Sequence, residues 1–238
     1  MTTLKSDSFK SLCNLLEVLG QFCTDMLIKE GLIRQFSDDR VLIIESAMNL
    51  NESVTFNMSD IKRKLKMLKL FQDSDVSLDI TENLVSFADG VTKLTFAHPV
   101  DDVLINSFIS DNEFEQMVQI QNMNLLVDTT LNETVIKRSN TLADAFNVRK
   151  IFLTPDDNNQ LKLRIESQDR NQTADVVTII SNQPVSQTLI LPRDVFMAFS
   201  NDVSFTLFSD QDRYIAKVSG QIDDGVTMTL YTRVGVEL

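Results

Sequence analysis

The chain has 238 residues, of which 43% are hydrophobic and 24% charged, and it carries a formal net charge of −12. This length and composition suffice for one large domain or two of ordinary size, and they exclude a disordered or low-complexity chain. No apolar run reaches membrane-spanning length and the N-terminus lacks the apolar core of a signal peptide, so we expect a soluble intracellular protein with no membrane partner.

Motifs for enzymatic chemistry are missing from the sequence. Cys13 and Cys23 do not form a C-x-x-C pair, and the helical apolar pattern around Cys13 favours a buried thiol. His98 is the only histidine, which excludes multi-histidine metal sites. The glycine-rich phosphate-binding motifs and the G-x-S-x-G nucleophile motif do not occur. We therefore expect no enzyme activity, no cofactor and no metal.

The first part of the chain predicts two helices separated by strands. Phe9, Leu12, Leu15, Leu16 and Leu19 form the apolar face of a helix that ends at Gly20. Alternating or apolar runs then predict strands at 22–29, 32–36, 41–45 and 54–58. After a second helix, further strands are predicted at 76–80, 84–87 and 92–96.

That second helix concentrates positive charge in an acidic chain. It is predicted to begin after Ser59 or Asp60, and it contains five basic residues: Lys62, Arg63, Lys64, Lys66 and Lys69. Ile61, Leu65 and Leu68 form one apolar stripe, and three of the lysines (62, 66 and 69) repeat its spacing about a quarter-turn away. A solvated helix face is the plain interpretation. The contrast with the acidic background favours contact with nucleic acid.

The element order then begins again after an irregular stretch. Residues 97–122 lack sustained periodicity until 117–120 and are predicted as an extended connector. A strand at 125–129 leads to a helix from Asn132 to about 147, with Val135, Leu142 and Phe146 on its core side and the small Ser139 among them. The remaining predicted elements are strands 150–153, 161–167, 176–181 and 188–191, a short helix 192–199, and strands 203–209, 214–221 and 226–233. This repeat indicates two α+β domains, each with sheets covered by a pair of helices.

With this duplicated order, long connector, acidic balance and basic residues gathered on helices, the chain resembles a DNA sliding clamp. The resemblance is to the two-domain kind found in proliferating cell nuclear antigen (PCNA) and in the clamps of tailed phages, and it covers essentially the whole length. It implies an α+β fold of duplicated clamp domains, with helices lining the inside of a ring and antiparallel sheets outside. The domains would be 1–97 and 123–238, joined by a connector at 98–122, and three chains would form a homotrimer.

The resemblance implies that the helices face double-stranded DNA and contact its phosphates without reading bases, which lets the ring slide. The residues expected near phosphate are Lys10, Lys62, Lys66, Lys69, Lys137 and Arg193, with Arg63, Arg138, Arg149 and Lys150 flanking them. Glu17, Glu133 and Asp144 depart from a purely basic lining, so the expected contact with DNA is weak.

The resemblance also implies an apolar pocket beneath the connector that docks short peptide tails of a DNA polymerase and a clamp loader. Its expected lining residues are Phe36, Val41, Ile43, Val118, Ile120, Tyr231 and Val234. Ordinary core packing is the alternative, and it is nearly as well supported for Ile43 and Tyr231. Neighbouring subunits would join at edge strands, for which 76–80 and 176–181 are the candidates.

The implied function is that of a DNA polymerase processivity factor, a non-enzymatic ring that tethers polymerase and other replication proteins to DNA. One alternative is a monomeric polymerase accessory or scaffold protein on the same fold, but such a protein holds DNA by charge alone, and a net charge of −12 speaks against it. Another is a metal-dependent enzyme built on clustered carboxylates. Within this resemblance, the lack of a diagnostic short motif and the compact length favour a phage origin. We expect a cytoplasmic location, which is the host cytoplasm if the protein is viral.

Overall fold

The computed structural model describes residues 2–48, 55–71, 73–97, 108–169, 171–211 and 213–237. The chain divides into two compact units, Met1–Ser110 with Ile222–Met228, and Asp111–Gln221 with Thr229–Leu238. His98 and the predicted connector residues 98–107 lie outside the described residues. The predicted domain limits at 97 and 123 therefore stay a prediction.

The first unit holds the helices α1 (Ser6–Leu19) and α2 (Ile61–Leu68), and a 3-10 turn at Lys69–Phe71 extends α2. Its strands are β1 (Thr2–Leu4), β2 (Met26–Ile28), β3 (Leu32–Phe36), β4 (Leu42–Met48), β5 (Phe56–Met58), β6 (Val76–Ile80), β7 (Leu84–Ala88) and β8 (Lys93–Ala97). Four of them form an antiparallel sheet in the order β1, β6, β7, β8. Strand β2 pairs with β5, and β3 pairs with β4.

The sheet order corrects one predicted subunit edge. Strand β6, predicted as an edge at 76–80, is hydrogen-bonded to β1 on one side and to β7 on the other. Its backbone groups are therefore already used within the chain. Within the described residues, β8 is the strand at the end of this sheet, and β7 is its neighbour.

A buried aromatic cluster fixes α1 against this sheet. The predicted apolar face of α1 is confirmed, because Phe9, Leu12, Leu15, Leu16 and Leu19 are all fully buried. The ring of Phe9 meets Phe87 of β7 at 6.0 Å between centroids and Phe71 of the 3-10 turn at 6.2 Å. Edge-to-face pairs of this kind are directional, so the cluster sets where α1 and the end of α2 lie.

The tip of the C-terminal hairpin, Ile222–Met228, belongs to the first unit and is tied to α1. Asp223 accepts hydrogen bonds from Ser11 Oγ at 3.0 Å and from Asn14 Nδ2 at 2.8 Å. Burial by itself would raise the pKa of Asp223, but these bonds and one from the Asp224 backbone hold it below its ordinary value. The carboxylate is therefore a charged anchor for the polar side of α1.

The second unit repeats the element order of the first. It holds α3 (Asp111–Val118), α4 (Glu133–Ala145) and the short α5 (Asp194–Met197), with a 3-10 turn at Ile120–Asn122. Its strands are β9 (Asn124–Leu131), β10 (Lys150–Asp156), β11 (Gln160–Glu166), β12 (Thr173–Ile180), β13 (Leu189–Pro192), β14 (Val203–Asp210), β15 (Arg213–Asp223) and β16 (Val226–Val236). From β1 and from β9 alike, the chain runs strand, helix, four strands, helix, three strands. The predicted duplication is therefore confirmed.

The strands of this unit lie in the order β12, β11, β10, β13, β16, β15, β14, β9. In the part of the chain that the structure describes, β12 ends this order, with β11 as its one neighbour. The predicted edge at 176–181 therefore does fall on an end strand. Ile180 at the end of β12 is 74% exposed.

Two sequence expectations about the helices of this unit are wrong in detail. The stretch predicted as extended contains the helix α3. Helix α4 buries the predicted Ser139, but its other buried residues are Ile136 and Ala143 rather than Val135, Leu142 and Phe146. The buried stripe of α4 is therefore rotated by about one residue. Helix α4 packs over β11 and β12, and the small side chains of Ser139 and Ala143 allow a close approach.

The predicted N-cap of α4 is confirmed, and it carries a stability prediction. The Asn132 side chain accepts a hydrogen bond from the Val135 backbone N–H at 3.0 Å. We expect Asn132→Ala to lower the free energy of unfolding by about 1 kcal/mol, because the first turn loses this acceptor. Urea denaturation followed by circular dichroism measures the change. Asn132→Ser should keep most of the stability, and a loss equal to that of Asn132→Ala would contradict the capping role.

Both cysteines are buried thiols, as the sequence predicts for Cys13. Burial raises the pKa of Cys13 to about 12 and that of Cys23 to about 11. The thiolate is the reactive form of cysteine, so both side chains are inert at neutral pH.

Candidate nucleic-acid interface

Helix α2 is held at its start by backbone contacts rather than by the predicted side-chain cap. Asp60 has a left-handed φ of 51°, and its carbonyl oxygen accepts from the N–H groups of Arg63 and Lys64. Its own N–H donates to Asp25 Oδ1 at 2.9 Å, and the N–H of Ile61 donates to the Thr24 carbonyl at 2.9 Å. These bonds tie the helix start to residues 24–25 and so set the direction in which its side chains project.

The two predicted stripes of α2 are both present. Ile61 and Leu68 are fully buried and Leu65 is 8% exposed, so the apolar stripe faces the core. Lys62, Arg63, Lys66 and Lys69 are exposed. Because a helix places neighbouring positions about 100° apart, burial of one stripe turns the next one toward solvent. The result is a row of cationic groups, three ammonium and one guanidinium, on the surface of the first unit.

Helix α1 packs beside α2 and adds one cation and one anion to this surface. Lys10 is exposed, and Glu17 pairs with Lys69 at 2.8 Å between Oε2 and Nζ. Both partners are partly exposed, and such surface pairs contribute at most about 1 kcal/mol. The charge of Lys69 is thus partly compensated by Glu17.

Lys64 is the one basic residue of the α2 run with a packing role. Its Nζ donates to Ser59 Oγ at 3.0 Å and lies 5.5 Å from the centroid of the Phe96 ring. Burial lowers the pKa of Lys64, although nearby Asp25 and Asp60 act in the opposite direction. Its ammonium group is therefore engaged in packing, and Lys64 is not among the residues predicted to contact phosphate.

The predicted basic residues of the second unit are less available than those of α2. Lys137 forms an ion pair with Glu133 one turn earlier on α4, and Arg193 forms one with Asp144. The Arg193 side chain is only 16% exposed and its Nε is buried without a hydrogen-bond partner, so this residue serves mainly to join α4 to the segment before α5. Arg138 of α4 is exposed.

Arg149 and Lys150 lie beyond the end of α4, where the chain enters β10, and both are exposed. They border an open cavity of about 590 Å³. Its other lining residues are Asn147, Val148, Phe152, Glu166, Ser167 and Gln168. The ten predicted phosphate-contact residues thus fall evenly into the two units, and those on α1 and α2 form the clearest surface row.

The residues predicted to line a partner-peptide pocket also fall into both units. In the first unit, Phe36 and Ile43 face each other across the β3–β4 pair and are half-buried, and Val41 in the turn between them is 42% exposed. Asp39 shapes that turn by accepting from Ser37 Oγ at 2.6 Å and from the Val41 N–H at 3.1 Å. The turn therefore holds an apolar side chain at the surface.

In the second unit, Val118, Tyr231 and Val234 are buried and Ile120 is half-buried. One contact of Tyr231 lies outside the predicted set. Phe114 of α3 meets the Tyr231 ring edge-to-face, with 5.1 Å between centroids and 80° between planes. A sequence signal was available, because Phe114 is the only aromatic residue between 109 and 122.

Neither metal-binding nor membrane-spanning features stand out. Among the residues that the structure describes, no three His, Cys, Asp or Glu side chains cluster in a way that could hold a metal ion. Over those same residues, no helix has the length and apolar character needed to cross a membrane.

Comparison with known proteins identifies the fold. No protein-family model and no curated protein sequence matches the chain. Among solved structures, the PCNA2–PCNA3 complex from Sulfolobus tokodaii matches with a TM-score of 0.65 and 14% identity, covering 98% of each chain. A. fulgidus PCNA bound to the C-terminal region of FEN-1 matches with a TM-score of 0.67 and 10% identity, covering 100% of this chain and 98% of that one. The chain therefore has the α+β sliding-clamp fold of PCNA, as the resemblance implied.

Proposed function

We propose that this protein is a DNA polymerase processivity factor, a non-enzymatic ring that encircles double-stranded DNA and tethers replication proteins to it. The observation that carries the proposal is the likeness to PCNA over the whole chain, together with an exposed cationic row on α2 in a protein of net charge −12. Fold alone does not define function, so the charge pattern supplies the second argument. An acidic protein with one basic face suits local contact with a polyanion.

The side chains of the proposed DNA contact differ in whether a carboxylate already pairs with them. In the described part of the chain, Lys10, Lys62, Arg63 and Lys66 have no carboxylate within ion-pair distance, so phosphate oxygens can approach them directly. Lys69 and Lys137 are paired with surface carboxylates, and replacing such a carboxylate with a phosphate costs little free energy. Arg138, Arg149 and Lys150 are exposed flanking contacts, and Arg193 contributes least because Asp144 holds it. Weak contact fits the function, since topology retains a closed ring on DNA.

We propose that three chains close the ring by pairing β8 of one subunit with β12 of the next. Each strand ends its sheet within the described residues, and an end strand offers unpaired N–H and C=O groups for another chain. Two different edges joined head to tail form a heterologous interface, which generates a closed ring when the rotation fits. The exposed Ile180 on β12 gives this edge an apolar contact to bury.

The proposed protein partners are a polymerase and a clamp loader that dock through short peptide tails. The complex of A. fulgidus PCNA with the C-terminal region of FEN-1 supports this type of partner. In the second unit the proposed lining of this site is Val118, Ile120, Tyr231 and Val234, of which Ile120 is half-buried and the others are buried. The contributions of Phe36, Val41 and Ile43 remain a prediction, as do the domain limits, the cytoplasmic location and the phage origin.

The solution mass tests the ring most directly. We expect static light scattering after size-exclusion chromatography to give the mass of three chains over a wide concentration range. If the protein dissociates on dilution, we expect a single transition from trimer to monomer, because a three-membered ring gains its stability on closure. A monomer at every concentration, with no trimer on adding primed DNA and a loader, would instead support the monomeric accessory factor.

A further inference from the structure

The short acidic helix α3 depends on tertiary packing, because its own sequence is too short to keep it helical. It has eight residues, and isolated helices shorter than roughly a dozen residues are marginal in water. Asp111 and Glu113 in its first turn favour the helix through its dipole. Packing must supply the remainder, and the side chains available for it are Phe114, which is half-buried, and Val118, which is buried.

Tyr231 is where Phe114 packs. The Tyr231 side chain is 6% exposed, with the Phe114 ring edge-to-face at 5.1 Å. Lys217 Nζ lies 5.8 Å from the Tyr231 centroid, so a cation stands at the same ring. The Tyr231 ring and the Lys217 cation together suit an aromatic side chain that has acidic neighbours. Helix α3 provides such a group, because Phe114 lies between Glu113 and Glu115.

We propose that α3 is a built-in competitor for partner peptides, with Phe114 occupying at Tyr231 the position that a partner's aromatic anchor takes on binding. The partner tail then carries an aromatic residue flanked by acidic ones. This inference rests on the proposed function, because it assigns an occupant to the proposed peptide site. A partner must displace Phe114 first, so its apparent Kd equals the intrinsic Kd divided by the fraction of molecules in which α3 is undocked.

The chain offers a direct reporter of this contact. It has no tryptophan and two tyrosines, Tyr214 and Tyr231, so Tyr214→Phe leaves Tyr231 as the only tyrosine that fluoresces. In that background we expect Phe114→Ala to raise the acrylamide quenching constant of Tyr231 at least twofold. Met117→Ala is the matched control, because Met117 is on the same helix and is 39% exposed. It should leave the constant unchanged.

Competition is tested with a synthetic peptide of residues 110–122 of this chain, which carries Phe114 as its only aromatic residue. We expect the Phe114→Ala protein to bind this peptide with a Kd at least roughly tenfold lower than the unmodified chain does, measured by NMR titration. The same peptide with alanine at 114 should bind neither protein. Equal affinity for both proteins, or no binding to either, would overturn the proposal.

A separate reporter excludes general unfolding as the cause. In a Tyr231→Phe background, Tyr214 fluorescence should respond equally to acrylamide with and without Phe114→Ala. If Tyr214 also becomes exposed, the second unit has loosened as a whole and the specific displacement is wrong. Failure here is distinct from failure of the ring, because the solution mass of three chains does not depend on Phe114.

Discussion

Lys62→Glu with Lys66→Glu should weaken binding to duplex DNA by at least roughly tenfold at 0.1 M salt. Both lysines are exposed on the cationic row of α2, and each phosphate contact contributes about 0.9 to the slope of log K against log salt. The slope should therefore fall by about 2 for each chain that contacts the duplex. Fluorescence anisotropy of a labelled duplex, titrated at several salt concentrations, measures both quantities.

The control for this charge reversal is Arg40→Glu with Arg233→Glu. It changes the net charge by the same amount, and both arginines are exposed outside the helices. We expect this variant to bind DNA with a Kd within about threefold of that of the unmodified protein and to keep its salt slope. Charges that do not contact phosphate act on DNA only through the long-range electrostatic field, which salt screens. An equal loss in both variants would mean that net charge alone governs binding, and that α2 does not face the duplex.

Ile180→Asp should convert the proposed trimer into a monomer at concentrations where the unmodified protein is trimeric. Ile180 is 74% exposed at the end of the edge strand β12. Burying a carboxylate in place of an apolar side chain carries a desolvation penalty at every interface of the ring. We expect the midpoint concentration of assembly, measured by light scattering on a dilution series, to rise at least roughly tenfold.

Leu70→Asp is the matched control for this interface variant. Leu70 is 73% exposed, but it lies in the 3-10 turn after α2 rather than on a sheet edge. It should assemble as the unmodified protein does. An unchanged assembly midpoint for Ile180→Asp would remove β12 from the interface, while a comparable rise for both variants would indicate a general effect of added charge.

Much of the local structure is predictable because it follows from periodicity. The apolar spacings that predict α1 and α2 correspond to buried stripes, and Asn132 caps α4 as its side chain and position suggest. The cationic row on α2 follows from the same spacing. These features depend on residues within one or two turns of each other, so neighbouring sequence is sufficient to infer them.

Other features could not be predicted from the sequence, because they depend on contacts between segments that are distant along the chain. The stripe of α4 is displaced by about a residue, since Ile136 and Ala143 rather than Val135 and Leu142 are buried where the helix packs over β11 and β12. Strand β6 has the pattern of an edge but is paired by β1, which is at the other end of the unit's sequence. The sequence predicts Arg193 as a cation available to phosphate, but in the folded chain it forms an ion pair with Asp144.

The sequence by itself determined the duplicated order of helices and strands, the amphipathic helices and the concentration of basic residues on α2. Only the tertiary structure decided which strands end their sheets, which basic side chains are already paired, and that Phe114 lies on Tyr231. The reason is that helical and strand periodicity is a property of consecutive residues. Strand order, ion pairing and ring contacts depend on which remote segments the folded core brings together.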